Sequence, residues 1–184
     1  MKYNSSVCYN KYVWKRFEME GDGNMGLFDK LFKKAKKVYA PLSGECVSIT
    51  EVNDPTFAEK MLGDGVAIKP TSGEVYAPFD GTVSLVFSTI HALSLTSNDG
   101  IELLIHIGLD TVKLDGKHYD AKVKDGDTFK KGDLLLVADL EAIKAEGYDV
   151  ITPVIVCNTQ NYKSVTGVNE GSTVAAGDEV VSIN

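Results

Sequence analysis

The chain has 184 residues, 43% hydrophobic and 24% charged, with a net charge of −7, which suits one folded domain with a sizeable core. No apolar run approaches the roughly 18–20 residues of a membrane-spanning helix, and the opening MKYNSSVCYNKYVWKRFEME lacks the apolar core of a secretory leader, so a cytoplasmic protein is expected. Residues 1–37 carry nine Lys/Arg against four Asp/Glu, net +5, leaving −12 on residues 38–184; a body this acidic argues against nucleic acid as a partner.

Residues 1–24 show no sustained period and end in GDGN, and they read as an N-terminal extension expected to be disordered. In MGLFDKLFKKAKK, which follows, Leu27, Phe28, Leu31, Phe32 and Ala35 fall on one helical face and five lysines occupy the rest. This predicts a basic amphipathic helix over 25–38, suited to weak contact with an anionic membrane surface. Over 39–184 short Val/Ile/Leu runs alternate with Gly and Asp turns, as in SGECVSI, GVAIKP, DGTVSLVF, ALSLT, IELLIHI and GDEVVSIN. The pattern predicts an all-β sandwich or barrel. One helical piece, LEAIKAEG, interrupts it, with Asp139 as N-cap and Gly147 as the residue just past the end. VKDGDTFKKGDLL (123–135) and VNEGSTVAAGDEV (168–180) echo each other, as if one strand–turn–strand device were used twice. Cys8, Cys46 and Cys157 are odd in number and far apart. They suggest neither a disulfide framework nor a thiolate zinc site, and Cys46 and Cys157 read as small buried hydrophobes.

Two of the three histidines lie in STIHALSLTSNDGIELLIHIGLDTV, Ser88 to Val112. The turn signal SNDG closes a hairpin. With Thr96 opposite Ile101, the register sets His91 directly across from His106, on one face and within contact of it. A three-residue turn would slip that register by one. Ile101, Leu103, Ile105, Ile107 and Leu109 form an apolar stripe for the core, so His106 belongs to the other face, with Gly108 leaving room beside it. Such a pair of imidazoles can ligate a metal, exchange protons, or supply a nucleophilic nitrogen that attacks phosphorus while the second ring steadies the phosphoryl oxygens. His118, in DGKHYD, reads as a surface-loop residue.

GIELLIHIGLDTV (100–112) resembles the signature around the phosphorylated histidine of the glucose-family IIA components of the bacterial sugar phosphotransferase system. APLSGE (40–45), FAEKMLGDGVAIKP (57–70), APFDGTVSLVFSTIHA (77–92) and DVITPVIVCN (149–158) resemble that family's other blocks, and MGLFDKL resembles its free-standing N-terminus, with Met25 as the natural start. The resemblance covers roughly residues 39–184. It implies a IIA phosphocarrier domain there, folded as an antiparallel β-sandwich of the barrel-sandwich type. It implies that His106 takes a phosphoryl group on Nε2 from the phosphocarrier HPr and passes it to a IIB domain. His91 would then contact the phosphoryl group and Thr89 would order the site. An apolar rim of Phe57, Phe87, Leu104 and Val112, with Asp110 beside it, would receive partners. No cofactor or resident metal is implied, although His91 and His106 could join a partner's carboxylate around an intermolecular zinc. Two alternatives stand beside this reading. One is a regulatory module whose binding depends on phosphorylation. The other is a biotinyl- or lipoyl-type carrier, which the VKDGDTFKKGD turn resembles but whose modified-lysine tripeptides are missing.

Overall fold

Short β-branched runs between Gly-Asp turns fold into hairpins, and a computed structural model of the chain describes residues 35–184. Among them lie fourteen strands: β1 (Lys36–Tyr39), β2 (Gly44–Ser48), β3 (Asp64–Pro70), β4 (Glu74–Tyr76), β5 (Gly81–Val86), β6 (Ala92–Ser97), β7 (Glu102–His106), β8 (Tyr119–Ala121), β9 (Thr128–Phe129), β10 (Leu134–Ala138), β11 (Thr152–Val156), β12 (Val165–Gly167), β13 (Ser172–Val174) and β14 (Glu179–Ile183). An eight-stranded sheet, in the order β13-β2-β3-β11-β7-β6-β5-β9, accompanies two three-stranded sheets, β1-β14-β12 and β4-β10-β8. The sandwich does not close into a barrel, since β13 and β9 remain its free ends. Among the described residues no helix is long and apolar enough to cross a membrane.

The large sheet is apolar on both faces. Cys46, Val66, Ile68, Leu93, Leu95, Leu103, Ile105, Val154 and Val156 point inward and join Val38, Val75, Leu136, Val181 and Ile183 of the small sheets in one core. The alternate residues Val47, Ala67, Ala92, Leu104 and Ile155 form a second cluster on the outer face. Its cover is slight: Ile49 and Val52 from the turn after β2, and Phe57 from the one-turn helix α1 (Pro55–Ala58). Asp54 caps α1 by accepting the Thr56 N–H at 2.8 Å, with Pro55 at the first helical position, where its missing N–H costs nothing. The helix α2 (Leu140–Ala145) is the one expected: Asp139 accepts from the Ala142 N–H at 3.0 Å, and Gly147 follows the C-cap Glu146.

The repeated turn is the same device twice. Asp133 accepts the Lys130 N–H at 2.7 Å, and Asp178 accepts the Ala175 N–H at 2.8 Å. The Gly132 N–H donates to Ala77 O and the Gly177 N–H to Ala40 O, both at 2.9 Å. Ala40 and Ala77 lie in a further repeat, VYAPLSG (38–44) and VYAPFDG (75–81). Strands β1, β2, β13 and β14 thereby correspond to β4, β5, β9 and β10: β14 pairs with β1 as β10 does with β4, and β13 with β2 as β9 does with β5.

Two expectations are corrected. Of the helix proposed over 25–38, residues up to 34 lie outside the described residues, as does the 1–24 extension, and Lys36, Lys37 and Val38 form strand β1 against β14 instead. The β6–β7 hairpin also turns through three residues, Asn98 to Gly100. The Gly100 N–H donates to Ser97 O at 3.0 Å and the Ser97 N–H to Ile101 O at 2.9 Å, with Gly100 at φ 87° as this loop type requires. The register slips by one, so Ala92 rather than His91 faces His106.

Candidate functional site

The slip should send the two histidines to opposite faces, yet their ring centroids stand 4.8 Å apart at an interplanar angle of 82°. The reason is local. His91 lies just before β6, and Ile90 preceding it has a left-handed backbone (φ 54°). The bend breaks the strand's two-residue alternation and turns His91 back over the outer face. There Ala92, directly opposite His106, is small enough to leave room. The Ile107 N–H donates to the His91 carbonyl at 2.8 Å, so the two histidine-bearing segments stay locked together.

His106 ends β7 on the outer face and is 7% exposed. Its Nδ1 is 2.8 Å from the Gly108 carbonyl oxygen. A carbonyl only accepts, so Nδ1 carries the proton. Burial holds the ring's pKa below the usual histidine value, against the upward pull of the Gly108 hydrogen bond and of the Asp54 and Asp110 carboxylates. The ring is therefore neutral at pH 7, and Nε2 has a free lone pair. Gly108 has φ 79°, and a Cβ there would come within 2.7 Å of Asp149 O. Only glycine lets the chain turn tightly enough to aim this carbonyl back at the ring.

His91, 4% exposed, has its Nδ1 2.6 Å from Thr89 Oγ1. Burial first, and the neighbouring His106 second, lower its pKa to about 4. It too is neutral at pH 7. A hydroxyl can donate or accept; when that of Thr89 donates to Nδ1, the ring proton sits on Nε2 and makes that nitrogen a donor.

The expected rim divides. Phe57 (3% exposed) tilts against His106 with centroids 5.1 Å apart and walls the ring, and Leu104 is 5% exposed on the same sheet face; neither presents a surface. Phe87 meets His91 edge-on at 5.6 Å and is half-buried. Val112 is exposed, and Asp110, also exposed, pairs with Lys113 at 2.9 Å. Sequence reading missed Asp54, whose carboxylate acts on His106 and whose signal was the Asp-Pro helix start; Met61, just beyond α1, is exposed. His118 sits in the turn before β8, 3.4 Å from Glu146. The Cys46 and Cys157 thiols are free and pushed up to about 11, chiefly by burial; Cys46 is fully buried and Cys157 only partly so. Among the described residues no group of three or more metal-ligating side chains gathers, so they offer the two rings no third ligand for a zinc.

Fold and ring pair together define a class: an antiparallel β-sandwich with two neutral imidazoles in contact beneath a thin apolar cover. Comparison with known proteins makes this particular. The family model of the phosphoenolpyruvate-dependent sugar phosphotransferase system, EIIA 1, matches residues 36–162. The glucose-specific EIIA component of Buchnera aphidicola is 42% identical over 158 residues, 85% of this chain and 97% of its own length. The glucose-specific EIICBA component of Staphylococcus carnosus is 51% identical over 146 residues, 79% of this chain but only 21% of that longer protein. The solved glucose permease IIA from Mycoplasma capricolum superposes with a TM-score of 0.73 at 34% identity, covering 86% of this chain and 99% of that one. The chain belongs to the EIIA family of the sugar phosphotransferase system, a phosphoryl-relay component of sugar uptake that works with a IIB domain. The carrier-domain alternative falls with that assignment.

Proposed function

We propose that this protein receives a phosphoryl group from phospho-HPr on Nε2 of His106 and delivers it to a cysteine of a IIB domain, in the cytoplasm, for a sugar of the glucose class. In the first step a bond forms between Nε2 and phosphorus as the donor's N–P bond breaks. In the second, a sulfur–phosphorus bond forms as the His106 N–P bond breaks. Transfer of this kind asks the protein for in-line positioning and charge stabilisation more than for covalent help. The Nδ1–H bond to Gly108 O serves the positioning, because it holds the ring through both steps. Nε2–H of His91 serves the charge by donating to the phosphoryl oxygens. Phe57, Phe87 and Leu104 keep water from the labile N–P bond, and Val112, Met61 and Asp110 face the partner.

The observation that carries this reading is the fixed tautomer of His106 beside a neutral second imidazole. Incubation with enzyme I, HPr and phosphoenolpyruvate should place one acid-labile phosphoryl group on His106. His106→Gln should fold normally and take up none. Label retained by that variant would overturn the assignment.

A further inference from the structure

After β7 the chain places one glycine between two peptides that are each held from outside. On one side, the Ile107 carbonyl accepts from Thr111 Oγ1 at 2.7 Å and from the Tyr119 hydroxyl at 2.9 Å. On the other, the Gly108 carbonyl shares its peptide with the Leu109 N–H, which donates to Asp149 O at 2.9 Å. Gly108 itself resists rotation very little. The direction of its carbonyl, and with it the hold on His106 Nδ1, therefore depends on the two anchors.

Thr111 is 0% exposed, and its Oγ1 also lies 3.5 Å from Gly108 O. Its methyl occupies the space a Cβ on Gly108 would enter, 2.6 Å away. Tyr119 alone would satisfy the Ile107 carbonyl; two donors converging on it fix its direction. We propose that Thr111 is a positioning residue for phosphoryl transfer, its hydroxyl holding the Ile107–Gly108 peptide so that the Gly108 carbonyl keeps the His106 proton on Nδ1. An imidazole without this hold carries its proton on either nitrogen, and the fraction protonated on Nε2 has no lone pair for phosphorus. The inference rests on His106 being the acceptor, as proposed above.

The test is Thr111→Val, nearly the same shape without the hydroxyl; Tyr119 still satisfies the Ile107 carbonyl, so the variant should fold. Nitrogen-15 shifts of the His106 ring report the tautomer, and single-turnover uptake from phospho-HPr reports the rate. The wild type should show one tautomer, protonated on Nδ1. Thr111→Val should show both, with about nine-tenths of the rings protonated on Nε2, the saturating rate down about tenfold in proportion and the half-saturating HPr concentration unchanged. Thr111→Ser should restore both readouts. If the valine variant does not fold, Thr111→Ala against Thr111→Ser isolates the same hydroxyl. A single Nδ1–H tautomer in a folded variant lacking the hydroxyl overturns the proposal. Absence of label on wild-type His106 overturns the relay reading instead, and the tautomer comparison still decides the role of Thr111.

Discussion

The two faces of the eight-stranded sheet are built from the same strands but do different work. In β7, Leu103 and Ile105 point inward and are fully buried between sheets, while Leu104 and His106 point outward beneath one helical turn and a few loop residues. The inner face is sealed by other strands and can be wholly aliphatic. The outer face has a cover thin enough for a partner to reach past, and dense enough to keep two histidines neutral. Burial, rather than a charged neighbour, is the main cause of that neutrality in both rings. In this sandwich the inner layer is aliphatic core, and the outer layer holds the paired rings to which the relay is assigned above.

That division can be broken in several ways. The largest effect should come from the inner face: Leu103→Ala should cost about 2–5 kcal/mol in chemical denaturation, with the hydrolysis rate of the phosphorylated folded protein unchanged. Its outer counterpart, Phe57→Leu, should cost only about 1 kcal/mol yet speed that hydrolysis. The reverse pattern would show that the faces are not separate in function.

Acid should strike the outer face. The folded His91 titrates at about 4, below the usual value near 6.5, so the unfolded chain binds the proton first as pH falls. Stability from keeping this ring neutral is complete above about pH 6.5 and is lost between there and about pH 4, on the order of 3 kcal/mol. Denaturation curves across that window should show the loss, and His91→Gln should reduce it, leaving the part due to His106, whose pKa is also lowered by burial. The most specific of these effects concerns delivery. His91→Gln should still accept a phosphoryl group on His106, but transfer to a IIB cysteine should fall about 100-fold for want of one donor. Quenched-flow transfer assays would measure it, and an unchanged rate would leave His91 a packing residue.

The all-β class, α2 with its Asp139 cap, and the inward stripe of β7 were legible because each follows from a short-range pattern: apolar alternation, a capping side chain, a glycine turn. His106 was legible for the same reason, since the stripe assigns it to the opposite face. His91 was placed beside it by a register that the structure does not adopt. The three-residue loop at Asn98–Gly100 shifts the strands by one, and the left-handed bend at Ile90 then restores the meeting of the rings. Two local departures that offset each other leave no periodic trace.

The set of strands, the polarity of their faces and a family signature around His106 could be read from the residue order alone, because these depend on neighbours a few positions apart. The surroundings of each ring nitrogen came only with folding. Asp149 lies 41 positions beyond Gly108 and its carbonyl limits that turn, Phe57 comes from a distant helix to wall His106, and the depth of burial keeps both imidazoles neutral. Hydrogen-bond direction and desolvation depend on atoms that the chain brings together only by folding.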